Sequence, residues 1–283
     1  MKTTSIPVRD VQIACTVVGE GTPLIVVHGP GLGSTYMRGL DPWAETFQLV
    51  YYDQRGTGGT PLGDPDNVSF AGAIEDLDTL RAALGIERAT LVGHSAGATI
   101  AALYAGSRPE STSAVVLLNT APPLNPELQK EYFGEMAARR TPEDNAAMKA
   151  LEESPLFQAQ DPATVERHWL NSYIQCFRER ATIENLDLGF TKITAANLDV
   201  VRGRMFKSLG AIDPMGTLAG IQCPALVVHS DLDPVPDQWA HALVDTIPGA
   251  DFVLLEGTNH FAHIEDPAPL ANVVLPWLAK HTT

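Results

Sequence analysis

The stretch Leu91-Val92-Gly93-His94-Ser95-Ala96-Gly97-Ala98-Thr99-Ile100 decides how this chain is read. Apolar and β-branched residues lead up to Gly93, one serine follows, and small residues with helical character open behind it. The peptide therefore reads as strand, sharp turn, helix. In a G-x-S-x-G turn of this kind the serine stands above the sheet in a strained backbone conformation. Gly93 and Gly97 are required because a Cβ at either would collide with the adjoining strand or helix. Ser95 is the candidate nucleophile. The pentapeptide alone is not decisive, since glycine, serine and alanine are common residues, so the flanking chain has to supply the sheet and the partners.

Upstream, Pro23 to His28 is a continuous apolar run, as expected of a parallel strand buried on both faces. It ends in Gly29-Pro30-Gly31-Leu32-Gly33-Ser34, after which a helix is expected. Ile6 to Val18 alternates as a half-exposed strand or hairpin does. Phe47 to Tyr52 is a further strand, followed by Asp53 and the glycine-rich loop Gln54 to Gly59. Ser69 to Leu84 has apolar residues at helical spacing and is stopped by Gly85. Arg88 to Gly93 is the strand entering the turn, Ala96 to Gly106 the helix leaving it, and Ala114 to Leu118 the next strand, finishing at Asn119. Alternation of this kind implies a mostly parallel sheet with right-handed crossovers, an α/β fold. The first strand, its glycine loop and a second strand ending on Asp53 also suggest a dinucleotide fingerprint. That reading fails because Pro30 has no N–H for a phosphate and Ser34 stands where the last glycine belongs.

At Pro122-Pro123 the texture changes. From Ala121 to about Pro214 there is no buried strand, only amphipathic helical stretches punctuated by prolines. The expectation is a core of residues 1–120 and 215–283 with an inserted helical cap, or lid, over 121–214 that shapes a substrate pocket. The sheet resumes with Cys223 to His229 and its loop Ser230-Asp231-Leu232-Asp233-Pro234-Val235-Pro236. Asp237 to Ile247 is a helix, Ala250 to Leu255 a strand, and Pro267 to Lys280 a closing helix.

A nucleophilic serine needs a base to take its proton and an acid to hold that base. Both stand at strand ends, in the order serine, acid, histidine. Asp233 is preferred to Asp231 as the acid because it lies deeper in its loop between prolines, whereas Asp231 can simply turn the chain. His260, directly after the last strand, is the base; His263, nearer the next helix, is expected to pack or cap, and His28 and His94 to be structural. An oxyanion would be met by the Ala96 N–H and by one amide of the first loop, Gly31 before Gly29. Ester or amide hydrolysis on this set requires no metal and no cofactor.

Composition narrows the partners. A formal net charge of -15 argues against nucleic acid and anionic membranes. No apolar run approaches the roughly 20 residues that span a bilayer, and Met1 to Asp10 lacks the apolar core of a signal peptide, so a cytoplasmic enzyme of small molecules or short peptides is expected. Cys15, Cys176 and Cys223 are far apart and without metal-type spacing, and read as packed thiols.

With these residues assembled, the chain resembles the α/β-hydrolase fold superfamily, and within it the proline iminopeptidase-like serine peptidases with a helical cap. The resemblance is carried by His28-Gly29-Pro30-Gly31, Asp53-Gln54-Arg55-Gly56, Gly93 to Gly97, Asp231-Leu232-Asp233-Pro234, and Gly257-Thr258-Asn259-His260-Phe261 running into Glu265-Asp266-Pro267. It implies an aminopeptidase of proline iminopeptidase type, with a carboxylesterase, lactonase or carbon-carbon bond hydrolase as the alternative. A non-catalytic binding protein of the same fold is the remote third. One departure is that Gly29 stands alone where the peptidases have two glycines. The family binds the substrate's ammonium group with cap carboxylates, for which Glu184 and Asp187 are the candidates here. The neighbouring Arg178-Glu179-Arg180 reads as a solvated helix face.

Overall fold

The computed structural model describes residues 2–121 and 126–282. Its sheet contains β1 (Lys2–Val8), β2 (Val11–Val18), β3 (Pro23–Val27), β4 (Gln48–Tyr52), β5 (Ala89–His94), β6 (Thr112–Leu118), β7 (Ala225–Ser230) and β8 (Asp251–Leu255). The strand order is β1-β2-β4-β3-β5-β6-β7-β8. β2 runs antiparallel to β1 and β4, and every pairing from β4 to β8 is parallel. The alternating segment at the N-terminus is thus a hairpin, turned at Arg9 with φ 51°.

The continuous apolar runs follow from burial on both faces. Ile25, Val27, Val50, Leu91, Val115 and Val227 pack into one layer. Their strand neighbours Leu24, Val26, Leu49, Val92, Val116 and Leu226 pack into the other. Each such side chain, fully withdrawn from water, contributes about 1.5–3 kcal/mol, so no position along these strands can be polar cheaply.

Helix α1 (Phe70–Ala83) starts where Ser69 Oγ accepts the Gly72 N–H at 2.9 Å, a cap worth about 1 kcal/mol. It ends at Leu84 and Gly85, the latter at φ 71°. Helix α2 (Ala96–Ser107) has buried residues all round, which its alanine-rich sequence permits. The helix expected after β3 is a run of 3-10 turns, Ser34–Glu45, with Pro42 inside it. At Gly39 a Cβ would overlap the His263 carbonyl, so this segment lies close against the last loop.

Between β6 and β7 the described residues hold helices and no strand: α3 (Pro126–Ala138), α4 (Pro142–Glu152), α5 (Pro155–Gln158), α6 (Pro162–Tyr173) and α7 (Lys192–Ser208). The prolines open helices rather than only breaking them. Thr141, Ser154 and Asp161 cap α4, α5 and α6, each directly before a first-turn proline whose missing N–H costs nothing there. The Pro122-Pro123 boundary lies outside the described residues. Val201 and Met205 of α7, with Leu209 behind it, enter the same core layer as Ile13 and Phe70, so this helix is seated on the sheet layers. α8 (Pro214–Ala219), α9 (Asp237–Thr246), α10 (Ala262–Glu265) and α11 (Pro267–His281) complete the chain. Among the described residues no helix is long and apolar enough to cross a membrane. All three cysteines are buried and unpaired, and burial raises the Cys15 and Cys223 thiols to about 11.

Candidate active site

Ser95 sits between β5 and α2 with φ 56° and ψ −127°, a conformation that a non-glycine residue adopts only where its surroundings enforce it. Its N–H donates to the Leu118 carbonyl at 3.0 Å, fixing the turn to β6. A Cβ on Gly93 would run into the Ala98 backbone, and one on Gly97 into the Val27 and His28 backbone. The two glycines therefore let helix and strand close on the serine from opposite sides.

His260 and Asp233 are joined behind it. His260 Nδ1 lies 2.9 Å from Asp233 Oδ2 and 3.1 Å from Oδ1, with side chains 1% and 0% exposed. The Asp233 carboxylate also accepts the Val235 N–H at 2.8 Å. An imidazole whose Nδ1–H is held in this way presents the Nε2 lone pair. Asp231 instead accepts the Gly257 N–H at 2.8 Å and ties the two loops together.

The base loop is braced from three sides. The His260 carbonyl accepts from His94 Nε2 at 2.8 Å and from Asn119 Nδ2 at 2.9 Å. Asn119, at φ 43° after β6, also donates to Ser230 Oγ and the Asn259 carbonyl, while its Oδ1 accepts the Ser230 N–H. One side chain thus spans the acid loop and the base loop. Glu265 accepts the Asn259 N–H at 2.8 Å and also binds the Arg178 N–H. Asn119 is a positioning residue the sequence did not single out; the only signal was a polar residue ending a buried strand.

His28, His94 and His263 are structural. His28 donates from Nδ1 to the Gly29 carbonyl at 2.9 Å and accepts the Gln54 N–H on Nε2 at 3.0 Å. His263 Nε2 donates to the Tyr36 carbonyl at 3.1 Å. Desolvation pushes all three of these buried rings down, His28 and His94 below the ordinary histidine value and His263 to about 3. His94, neutral with its proton on Nε2, offers Nδ1 to the Tyr36 hydroxyl at 3.3 Å.

A cavity of about 480 Å³ opens over Ser95, Ala96 and His260. Gly29, Pro30 and Leu32 of the loop after β3 form part of its wall, with Tyr36 and Phe261. Its opposite wall comes from α3, α4, α6 and α7, including Tyr132, Met136, Trp169 and Phe206. Among the described residues that line it there is no aspartate or glutamate.

The first loop departs from expectation at Gly29. Its N–H donates to Tyr36 Oη at 2.7 Å and is therefore not free for an oxyanion. Gly31, at φ 82°, is turned towards α7, where a Cβ would meet Arg202 Cγ and Leu198 Cδ1. The Asp53 carboxylate accepts the Ser34 and Gly59 N–H groups, both at 2.9 Å, and braces two loops.

The two acids expected to bind an ammonium group are elsewhere. Glu184, 66% exposed, pairs with Arg167 at 3.1 Å. Asp187 accepts the Gly189 N–H at 2.9 Å within its own turn. Arg178, Glu179 and Arg180 are exposed, as expected of a solvated face, and the two arginines also make contacts. Arg178 Nη1 donates to the Gly257 carbonyl at 2.6 Å and Arg180 pairs with Asp144 at 2.5 Å, so they strut the helical segment against the base loop and against α4.

Comparison with known proteins agrees with this architecture. A proline iminopeptidase of Lactobacillus delbrueckii subsp. lactis is 25% identical over 297 residues, covering 96% of each chain. The crystal structure of a proline iminopeptidase from Mycobacterium smegmatis superposes with a TM-score of 0.70 at 21% identity, over 99% of this chain and 98% of that one. A structure of a carboxylesterase from the thaumarchaeon Nitrososphaera gargenis does so with 0.71, also at 21% identity and over 99% of each. At such identities the structures report the fold alone. Residues 24–273 match the profile of the Alpha/beta hydrolase family, and the chain belongs to that family.

Proposed function

We propose that the protein is a serine hydrolase of carboxylic esters, working through an acyl-enzyme on Ser95. The Ser95 hydroxyl attacks the ester carbonyl as His260 Nε2 takes its proton, with Asp233 holding the Nδ1–H. His260 returns that proton to the leaving alcohol. Water then repeats the sequence on the acyl-enzyme and frees the acid. The oxyanion is met by the Ala96 N–H at the start of α2 and by the Gly31 amide, since Pro30 has no N–H and that of Gly29 is taken. In this reading the helices from α3 to α7 act as the cap that excludes water.

The acid-free lining of the cavity is the observation that favours an ester over an N-terminal peptide. A free ammonium group withdrawn from water needs a carboxylate partner, and the two cap acids at hand are engaged elsewhere. The sequence kinship to proline iminopeptidases supports the hydrolase chemistry but not this part of the pocket. The test is p-nitrophenyl butyrate assayed beside proline p-nitroanilide. Ester turnover with little or no amide turnover is expected, together with fluorophosphonate labelling at Ser95. Efficient cleavage of the proline amide would overturn the ester assignment.

A further inference from the structure

Arg140 and Arg202 stand apart from the other arginines. Every other arginine reaches a carboxylate or a backbone carbonyl. These two line the cavity that holds Ser95, and neither has an acid partner among the described residues. Arg140 Nε is buried and makes no hydrogen bond. The Arg202 guanidinium lies 4.2 Å from the centre of the Trp169 ring and 5.6 Å from that of Phe206. The chain carries 34 acidic residues against 19 basic ones, so acids are not scarce, yet none is among the described residues that line this cavity.

A half-buried guanidinium with no acid partner keeps part of its desolvation cost, and neighbouring aromatic faces recover only part of that. A ligand that brings its own negative charge removes the cost and gains a charge-assisted bond in a partly dehydrated space. We infer that the cavity takes esters whose acyl chain ends in a carboxylate, anchored by Arg202 and Arg140 while the scissile carbonyl lies at Ser95. The inference rests on the ester-hydrolase reading of the same cavity and names its substrate class. Geometry favours the two ends being held together. The Arg202 stem packs where a Gly31 Cβ would lie, at 2.9 Å from Cγ, so the cation is carried beside the loop that faces the serine. Stacking fixes its planar fork in advance, which lowers the ordering cost of a two-point contact.

The experiment compares p-nitrophenyl hydrogen glutarate with its isosteric neutral partner, p-nitrophenyl 5-methylhexanoate. The wild type is expected to prefer the anionic ester by tenfold or more in kcat/KM. Arg202→Gln and Arg140→Gln should each bring that ratio towards one, and Arg202→Lys should keep part of it. In parallel, glutarate is titrated calorimetrically into the Ser95→Ala protein with and without Arg202→Gln. Glutarate binding that needs Arg202 supports the anchor even if neither ester is cleaved, in which case the hydrolase reading falls alone. Cleavage of both esters without preference, and no glutarate binding, overturns the anchor and leaves the hydrolase reading standing. Neither cleavage nor binding overturns both.

Discussion

The cavity has one wall of strand-end loops and one wall of helices, and the two satisfy their polar atoms differently. On the loop side, the imidazoles of His28, His94 and His263 and the Asn119 amide are all hydrogen-bonded, each to a loop that carries or borders the reacting groups. On the helical side, Arg140 Nε and His168 Nδ1 are buried without a partner. These loop side chains are held without a ligand, and what stays open there is the Ala96 and Gly31 amides and Thr120 Oγ1. The helical wall has bonding capacity left over in Arg140 and His168. Under the proposed function, position and reactivity belong to the sheet, and recognition to the helices.

The sharpest way to break this contrast is at the nucleophile. Ser95→Ala should lower ester hydrolysis by about 10⁴-fold or more while leaving the fold intact, measured as kcat with circular dichroism as the control. Asp233→Asn should follow with a loss of about a hundredfold or more in kcat, because an amide cannot stabilise the imidazolium. Asn119→Ala removes the bonds that join the acid loop to the base loop without touching substrate. Turnover (kcat) should fall by about tenfold with little change in KM, and the urea midpoint should report a loss of about 2 kcal/mol.

Acid should act on the loop wall before it acts on the helices. His263 has its proton affinity lowered to about 3 in the folded protein against an ordinary value of 6.5, so between those values the unfolded chain binds a proton that the native state refuses. Stability therefore falls as pH drops from about 6.5 towards about 3, by about 1.4 kcal/mol per pH unit for each such histidine. His94 and His28 add to the slope in the same direction. Urea unfolding across this range should show the decline, and His263→Gln should flatten it by one proton's worth. The smallest effect is expected at Glu184, where E184Q should change kcat/KM by less than about twofold, because an exposed ion pair is worth little.

Much of the loop wall was legible in the sequence, and little of the helical wall. Runs such as Leu24 to Val27 announce strands buried on two faces, and Gly93-His94-Ser95-Ala96-Gly97, set between a strand pattern and a helix pattern, reads as the turn that joins them. The place of Asp233 and His260 followed from their standing at strand ends. Strand order was not legible, because β3 between β4 and β5 is decided by tertiary pairing. The role of Asn119 was hidden because a polar residue after a strand reads as a plain turn. Arg140 and Arg202 were hidden for the opposite reason. One cation follows the end of α3 and the other lies inside α7, and both resemble solvent-facing charges until the aromatic residues around them are placed. Glu184 and Asp187 show the same limit, since acids in a suitable segment carry no sign of which way they face.

The missing side chain at Gly97 has a consequence for variation. Because even a methyl group there would press into the β3 backbone at Val27 and the adjoining His28, the corner that holds the serine has almost no mutational neighbourhood. The helices that form the other wall of the cavity carry no such constraint from Gly97, so side chains there can be exchanged without disturbing the turn at Ser95.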